Sequence, residues 1–357
     1  MARDRMARIG LVGLMALVAC AKGAPGGARD AGTHDTGTPL EHDAGNDGAP
    51  NLDQASTGSL DVGACAGLNG SDEHCRVRYA RPSICTGTTP CAKMVLFFAG
   101  GEQDCDLESY DTILAAYVDA GFVATCIEIF ETADGSGSVP YAEEAARVDT
   151  AAKAALADTN VGGTWSGSHL LWSGISHGAT APVTAMARSS LDDTWLANTT
   201  TGACFFDGIY DIAALDQKLG TSGLGGAQCL APVSHARIVG RYYGGEIPFS
   251  HSCTNDKCAC DPDHAPAMDT DTVTAVAASE FAVPHWKLIE CGSALNPCTA
   301  DIVPKEPIEA LCGHLEADAN HDCEFGALPD QSHLTCALRG LDECLDWFRT
   351  LVESSGG

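Results

Sequence analysis

The feature that most constrains this chain is the pentapeptide Gly174-Ile175-Ser176-His177-Gly178. An apolar run of strand length, His169 to Ser173, leads into it, and a run of small residues, Ala179 to Ala187, leads out. A buried strand, a turn with glycines two residues either side of a serine, and a helix leave the backbone few options. The turn is tight enough to strain the serine, and any side chain larger than hydrogen would clash at the flanking positions. The serine Oγ then stands free at the sheet edge, beside helix amides that favour developing negative charge. A glycine-rich chain can also produce such a string as a plain structural turn. Pro182 works against a regular helix, because it removes a hydrogen bond about two turns in, so a kink or a late helix start is expected.

Strand and helix patterns alternate up to this turn. Met94 to Phe98 is an apolar strand ending in Ala99-Gly100-Gly101, and Tyr110 to Ala120 is a helix closed by Gly121. Phe122 to Phe130 is the next strand, and Tyr141 to Ala157 an alanine-rich helix. Such alternation implies an α/β fold, a mostly parallel sheet covered by helices on both faces. Four strand-like runs follow the serine: Ala203 to Tyr210, Ala236 to Tyr243, Trp286 to Cys291 and Cys323 to Leu328. An acidic, cysteine-rich insertion falls within about 212–284, and Pro307 to Glu316 reads as a helix. At the end, Leu334, Leu338, Leu341, Leu345, Phe348 and Val352 recur at helical spacing, which marks a core-facing stripe.

The first 20 residues read as an export signal. Arg3, Arg5 and Arg8 precede the apolar run Ile9 to Ala19, which is too short to span a bilayer. Leu17-Val18-Ala19-Cys20 resembles the bacterial lipobox, which implies cleavage before Cys20 and a lipid carried on it; Ala21 then points to the outer membrane. Residues 21–60 hold almost no large apolar side chains and read as a flexible tether. The acidic stretch Asp43 to Asp53 lacks the glycine and terminal Glu of a calcium loop. Residues 61–357 are enough for one large domain.

Eighteen cysteines are too many for a reducing cytosol, and close pairs such as Cys65/Cys75, Cys85/Cys91 and Cys323/Cys336 suggest disulfide-stapled loops. A lipid on Cys20 leaves an odd number, and Cys126, in a buried strand, is the expected free thiol. Cys253, Cys258 and Cys260 do not have zinc-ribbon spacing, and no metal or cofactor is expected. The formal net charge is −28, and losing the leader removes more basic than acidic residues. Such a surface repels phosphate backbones and anionic lipid, which excludes nucleic acid as a partner and leaves the N-terminal lipid as the membrane contact.

From about 91 to 352 the order of strand and glycine loop, strand, helix, serine turn, late acid, last histidine and terminal helix resembles the α/β-hydrolase superfamily, in its esterase, lipase and depolymerase branches. The resemblance implies a serine nucleophile followed in the chain by an acid and then a base. Ser176 needs a base to take its proton, and imidazole titrates in the useful range. His333 is the candidate, in the turn Pro329 to His333 between the last strand-like run and the terminal helix. The resemblance also implies an oxyanion hole from the amides of Gly101, with Glu102 as runner-up, and His177. For the acid, Asp301 is favoured. The stretch Asp301-Ile302-Val303-Pro304 resembles the Asp-x-Val-Pro turn of many α/β hydrolases, and a Cys291–Cys298 bridge would tighten the loop before it. Asp207 and Glu246 remain alternatives. The expected activity is that of an exported serine esterase acting on a small or polymeric ester. A non-catalytic surface binding module on the same fold is the competing reading. A disulfide-rich adhesion protein would explain the cysteines but not the alternation.

Overall fold

A computed structural model of the chain describes residues 55–64, 74–100, 105–128, 141–187, 200–211, 252–254, 257–259, 281–292, 303, 305–329, 331 and 333–355. Eight strands form one sheet: β1 (Ala55–Ala64), β2 (His74–Pro82), β3 (Cys91–Phe98), β4 (Phe122–Glu128), β5 (Trp165–Ile175), β6 (Thr200–Phe206), β9 (His285–Cys291) and β10 (Asp322–Leu328). A separate two-stranded hairpin, β7 (Ser252–Thr254) with β8 (Lys257–Ala259), lies between β6 and β9 in the chain. The spatial order is β1-β2-β4-β3-β5-β6-β9-β10. Only β2 runs against the rest, pairing antiparallel with β1 and β4, while every pair from β4 to β10 is parallel.

The central strands are near-continuous apolar runs because both faces are covered. All seven residues of β4 are buried, as are the last five of β3. Alternate side chains of β3 serve two cores. Met94, Leu96 and Phe98 pack with α2 (Tyr141–Ala157), α3 (His177–Ala187) and α4 (Lys305–Glu316). Val95 and Phe97 pack with α1 (Glu108–Asp119) and α5 (Cys336–Ser355). The terminal helix buries Leu341 and Phe348 and half-buries Leu338, Leu345 and Val352, the stripe that its spacing predicted.

Three expectations are corrected. The sheet begins at Ala55, inside the segment read as tether; small and polar residues made β1 look unstructured, although its Leu60 and Val62 pack on the core. Of the kink or late start expected from Pro182, the late start does not occur: α3 begins at His177 and carries the proline within it. Some cysteines pair differently. Cys85–Cys91 forms as expected and closes a short loop, but Cys126 is bonded to Cys105 rather than free. Cys291 bonds Cys336 rather than Cys298, Cys323 bonds Cys312, and Cys204 bonds Cys344. Sequence proximity misled because a strand side chain meets the helix or loop packed on its face, not its neighbour in the chain. Residues 1–54, with the leader, Cys20 and most of the tether, and the run Ala236 to Tyr243 lie outside the described residues.

Candidate active site

The C-terminal ends of β5, β6 and β9 meet at one point of the sheet edge. At the end of β5 the chain turns at Ser176, whose φ of 57° is in the left-handed region that side chains avoid. Its N–H donates to Phe206 O at 2.9 Å, and its carbonyl accepts the N–H groups of Ala179 and Thr180 and the Thr180 hydroxyl, each at 3.0 Å. Both flanking glycines are required. A Cβ on Gly174 would lie 2.2 Å from Gly178 O, and one on Gly178 would lie 2.2 Å from Ala99 O and 2.3 Å from Phe98 O. That close approach of β3, β5 and α3 is what presses Ser176 outward.

One strand over, β6 ends at Asp207, a second left-handed residue with φ 50°. Asp207 is fully buried, and its N–H donates to Ile289 O at 2.7 Å. Its Oδ1 accepts the Cys291 N–H at 3.4 Å, and its Oδ2 accepts from Nδ1 of His333. His333 opens the 3₁₀ turn His333–Thr335 in front of α5, and its Nε2 lies 2.8 Å from Ser176 Oγ. A carboxylate, an imidazole and a hydroxyl thus form one hydrogen-bonded line. Ser176 and His333, expected to meet, do so. Asp207 holds the place on the imidazole for which Asp301 was favoured, because β6, not β9, is the immediate neighbour of β5. Asp301 itself lies outside the described residues, as do Glu246, Gly101 and Glu102. Of the stretch from Asp301 to Pro304, Val303 is described, and it is fully buried. A usable signal was present: Asp207 directly ends an apolar run and precedes a glycine.

His177 is buried as the first residue of α3, which puts its amide at the helix end that attracts negative charge. Gly100 and Cys105, the described residues on either side of the loop after β3, are held in ways the sequence did not reveal. Gly100 N–H donates to Tyr110 Oη at 2.8 Å. Beyond the loop, the Glu128 carboxylate accepts the Cys105 N–H at 2.6 Å and both Nη2 and Nε of Arg76, at 2.8 and 3.2 Å. Behind Asp207, the Tyr210 ring folds over Gly208, where a Cβ would lie 2.4 Å from its hydroxyl. That hydroxyl is buried with no hydrogen-bond partner among the described residues, and burial together with the Asp207 charge pushes its pKa up. Among the described residues, no group of three or more His, Cys, Asp or Glu side chains is placed to hold a metal ion.

No family model matches the chain, and no curated protein matches it in sequence. Solved structures do. Brefeldin A esterase, a bacterial homologue of human hormone sensitive lipase, superposes with a TM-score of 0.55 at 14% identity, over 90% of this chain and 80% of its own. A bacterial heroin esterase gives 0.53 at 17%, over 85% and 86%. The acylaminoacyl peptidase of Pyrococcus horikoshii gives 0.53 at 10%, over 85% of this chain and 41% of the peptidase. Likeness at such identities speaks for architecture and not for reaction: this chain has the α/β-hydrolase fold.

Proposed function

We propose that this chain is an exported serine hydrolase that cleaves carboxylic esters, with Ser176 as nucleophile, His333 as base and Asp207 as the orienting acid. The observation that carries the reading is the line from Asp207 Oδ2 through the imidazole to Ser176 Oγ. As Ser176 Oγ attacks the ester carbonyl, His333 Nε2 takes its proton. Asp207 keeps Nδ1 protonated, so Nε2 faces the serine as an acceptor, and it stabilises the imidazolium that forms. The amides of His177 and Gly101 receive the negative charge on the carbonyl oxygen. The imidazolium then gives its proton to the departing alcohol, leaving an acyl group on Ser176. A water, deprotonated by His333 in turn, releases the acid and restores the serine. Two of the reported structural neighbours are named esterases and one a peptidase, so the ester is the substrate to test first and the amide its comparison. Buried disulfides support an oxidising compartment, and a lipid on Cys20 would tether the enzyme to the cell envelope.

The test is a fluorophosphonate probe and a short p-nitrophenyl ester, with the matching p-nitroanilide beside it. Ser176 is expected to be labelled and the ester to be the better substrate. Ser176→Ala should abolish labelling and lower ester turnover by roughly 10⁴- to 10⁶-fold. Its melting temperature should hardly move, because the alanine Cβ sits on the same left-handed backbone and only the hydroxyl is lost. Wild-type-like turnover by that variant would overturn the reading.

A further inference from the structure

His333 stands in an awkward place for a base. Its turn leaves β10, the outermost strand of the sheet, and must reach back over the end of β9 to meet Asp207 at the end of β6. Gln331 N–H donates to Leu328 O at 3.1 Å, and the Thr335 hydroxyl reaches Gln331 Oε1 at 3.4 Å. The strand that the turn crosses ends in Cys291, and this one residue is tied both to Asp207 and to the segment that carries His333. Its main-chain N–H donates to Asp207 Oδ1, and its sulfur is bonded to Cys336, three residues after His333. Cys291 and Cys336 are both fully buried.

We infer that the Cys291–Cys336 disulfide is a positioning device for the acid–base pair: it fixes the His333 turn to the same residue whose amide fixes Asp207. The inference rests on Asp207, His333 and Ser176 being the working triad. The other bridges have different tasks. Cys85–Cys91 closes a loop before β3, and Cys312–Cys323 joins α4 to β10. Cys204–Cys344 ties β6 to α5 about two turns further along the helix. With that second tie in place, α5 stays on the sheet when Cys291–Cys336 is removed. What is released is the short piece carrying the imidazole. A displacement of about 1 Å at a reacting group is enough to lower a rate on the order of 100-fold.

The experiment compares the full chain with Cys291→Ala/Cys336→Ala, with Cys291→Val/Cys336→Val, which refills the space, and with Cys85→Ala/Cys91→Ala as control. Proton NMR of the native protein should show a far-downfield resonance from the His333 Nδ1–H bonded to Asp207. Both Cys291/Cys336 variants should lose or broaden it through exchange with water, and the control should keep it. On the p-nitrophenyl ester, kcat should fall about 10- to 100-fold with KM within about twofold, and the control should keep wild-type kcat. Near-UV circular dichroism reports whether each variant is folded. If the alanine pair unfolds, the valine pair decides. Two results overturn the inference: a folded valine or alanine pair with a sharp resonance and wild-type kcat, or an equal loss of kcat in the control. The resonance needs no substrate, so a wild type inert to ester and fluorophosphonate sinks the esterase reading while the NMR arm still decides this one. A wild type without the resonance overturns the positioning role.

Discussion

Asp207 is the residue whose identity the sequence left open. The serine was legible because only glycine fits on either side of it, a constraint that survives in the sequence. The histidine was legible because one histidine falls between the last strand-like run and the terminal helix. The acid depends on which strand borders β5, and no local pattern states that. Asp301 was favoured on the resemblance of its turn; it lies outside the described residues, and Asp207 is the carboxylate bonded to the imidazole. Asp207→Asn preserves shape and an acceptor for the Cys291 N–H, and asparagine tolerates a left-handed backbone. It removes the charge that holds the imidazole in one tautomer. Ester turnover is therefore expected to fall about 10⁴-fold, with the fold intact by circular dichroism, while Asp301→Asn stays within a few-fold of wild type. A dead Asp301→Asn beside an active Asp207→Asn would return the acid to the register first expected.

Among the elements, β5, its turn and α3 act as a single unit, and glycine position decides what each substitution does. Gly178 is pinned under the carbonyls of Phe98 and Ala99, which are backbone and cannot rotate away. Gly178→Ala must push the end of β3 aside, and the loop that follows β3 moves with it. A loss of about 3 kcal/mol is expected, read as a lower urea midpoint, together with most of the activity. Gly313, inside α4, has nothing within 4 Å of where a Cβ would stand. Gly313→Ala should therefore raise the midpoint by about 0.5–1 kcal/mol through chain entropy and helix propensity and leave turnover alone. Equal effects at the two sites would overturn the role given to the close approach at Gly178. The core elements could be read from the sequence because strands buried on both faces are unbroken apolar runs. β1 escaped because a small-residue edge strand with polar alternate positions has the composition of a linker. β2 carries a period-two pattern, Cys75 and Val77 inward with Arg76 and Arg78 between, that pattern reading can find.

For the whole molecule, the cysteine count indicated an oxidising compartment but not which elements are tied. The pairing is a property of the finished packing. Cys204 meets Cys344 across 140 residues of chain because α5 lies on the face that β6 presents to it. Cys105, Cys126, Cys204, Cys291, Cys336 and Cys344 have no exposed surface, so a thiol reductant cannot reach their bridges while the protein is folded. The native protein is expected to keep the proposed ester hydrolysis for hours in millimolar dithiothreitol without denaturant. In denaturant the same reductant reaches every bridge. Each contributes about 2–4 kcal/mol by restricting the unfolded chain, so the five described ones together are worth on the order of 10–20 kcal/mol if their contributions add. That matches or exceeds the ~5–15 kcal/mol net stability of an ordinary domain, and the reduced, alkylated chain should stay unfolded when denaturant is removed. Far-UV circular dichroism and ester turnover measure this directly. A reduced, alkylated chain that regains both would show that the apolar cores on the two faces of the sheet suffice without the bridges.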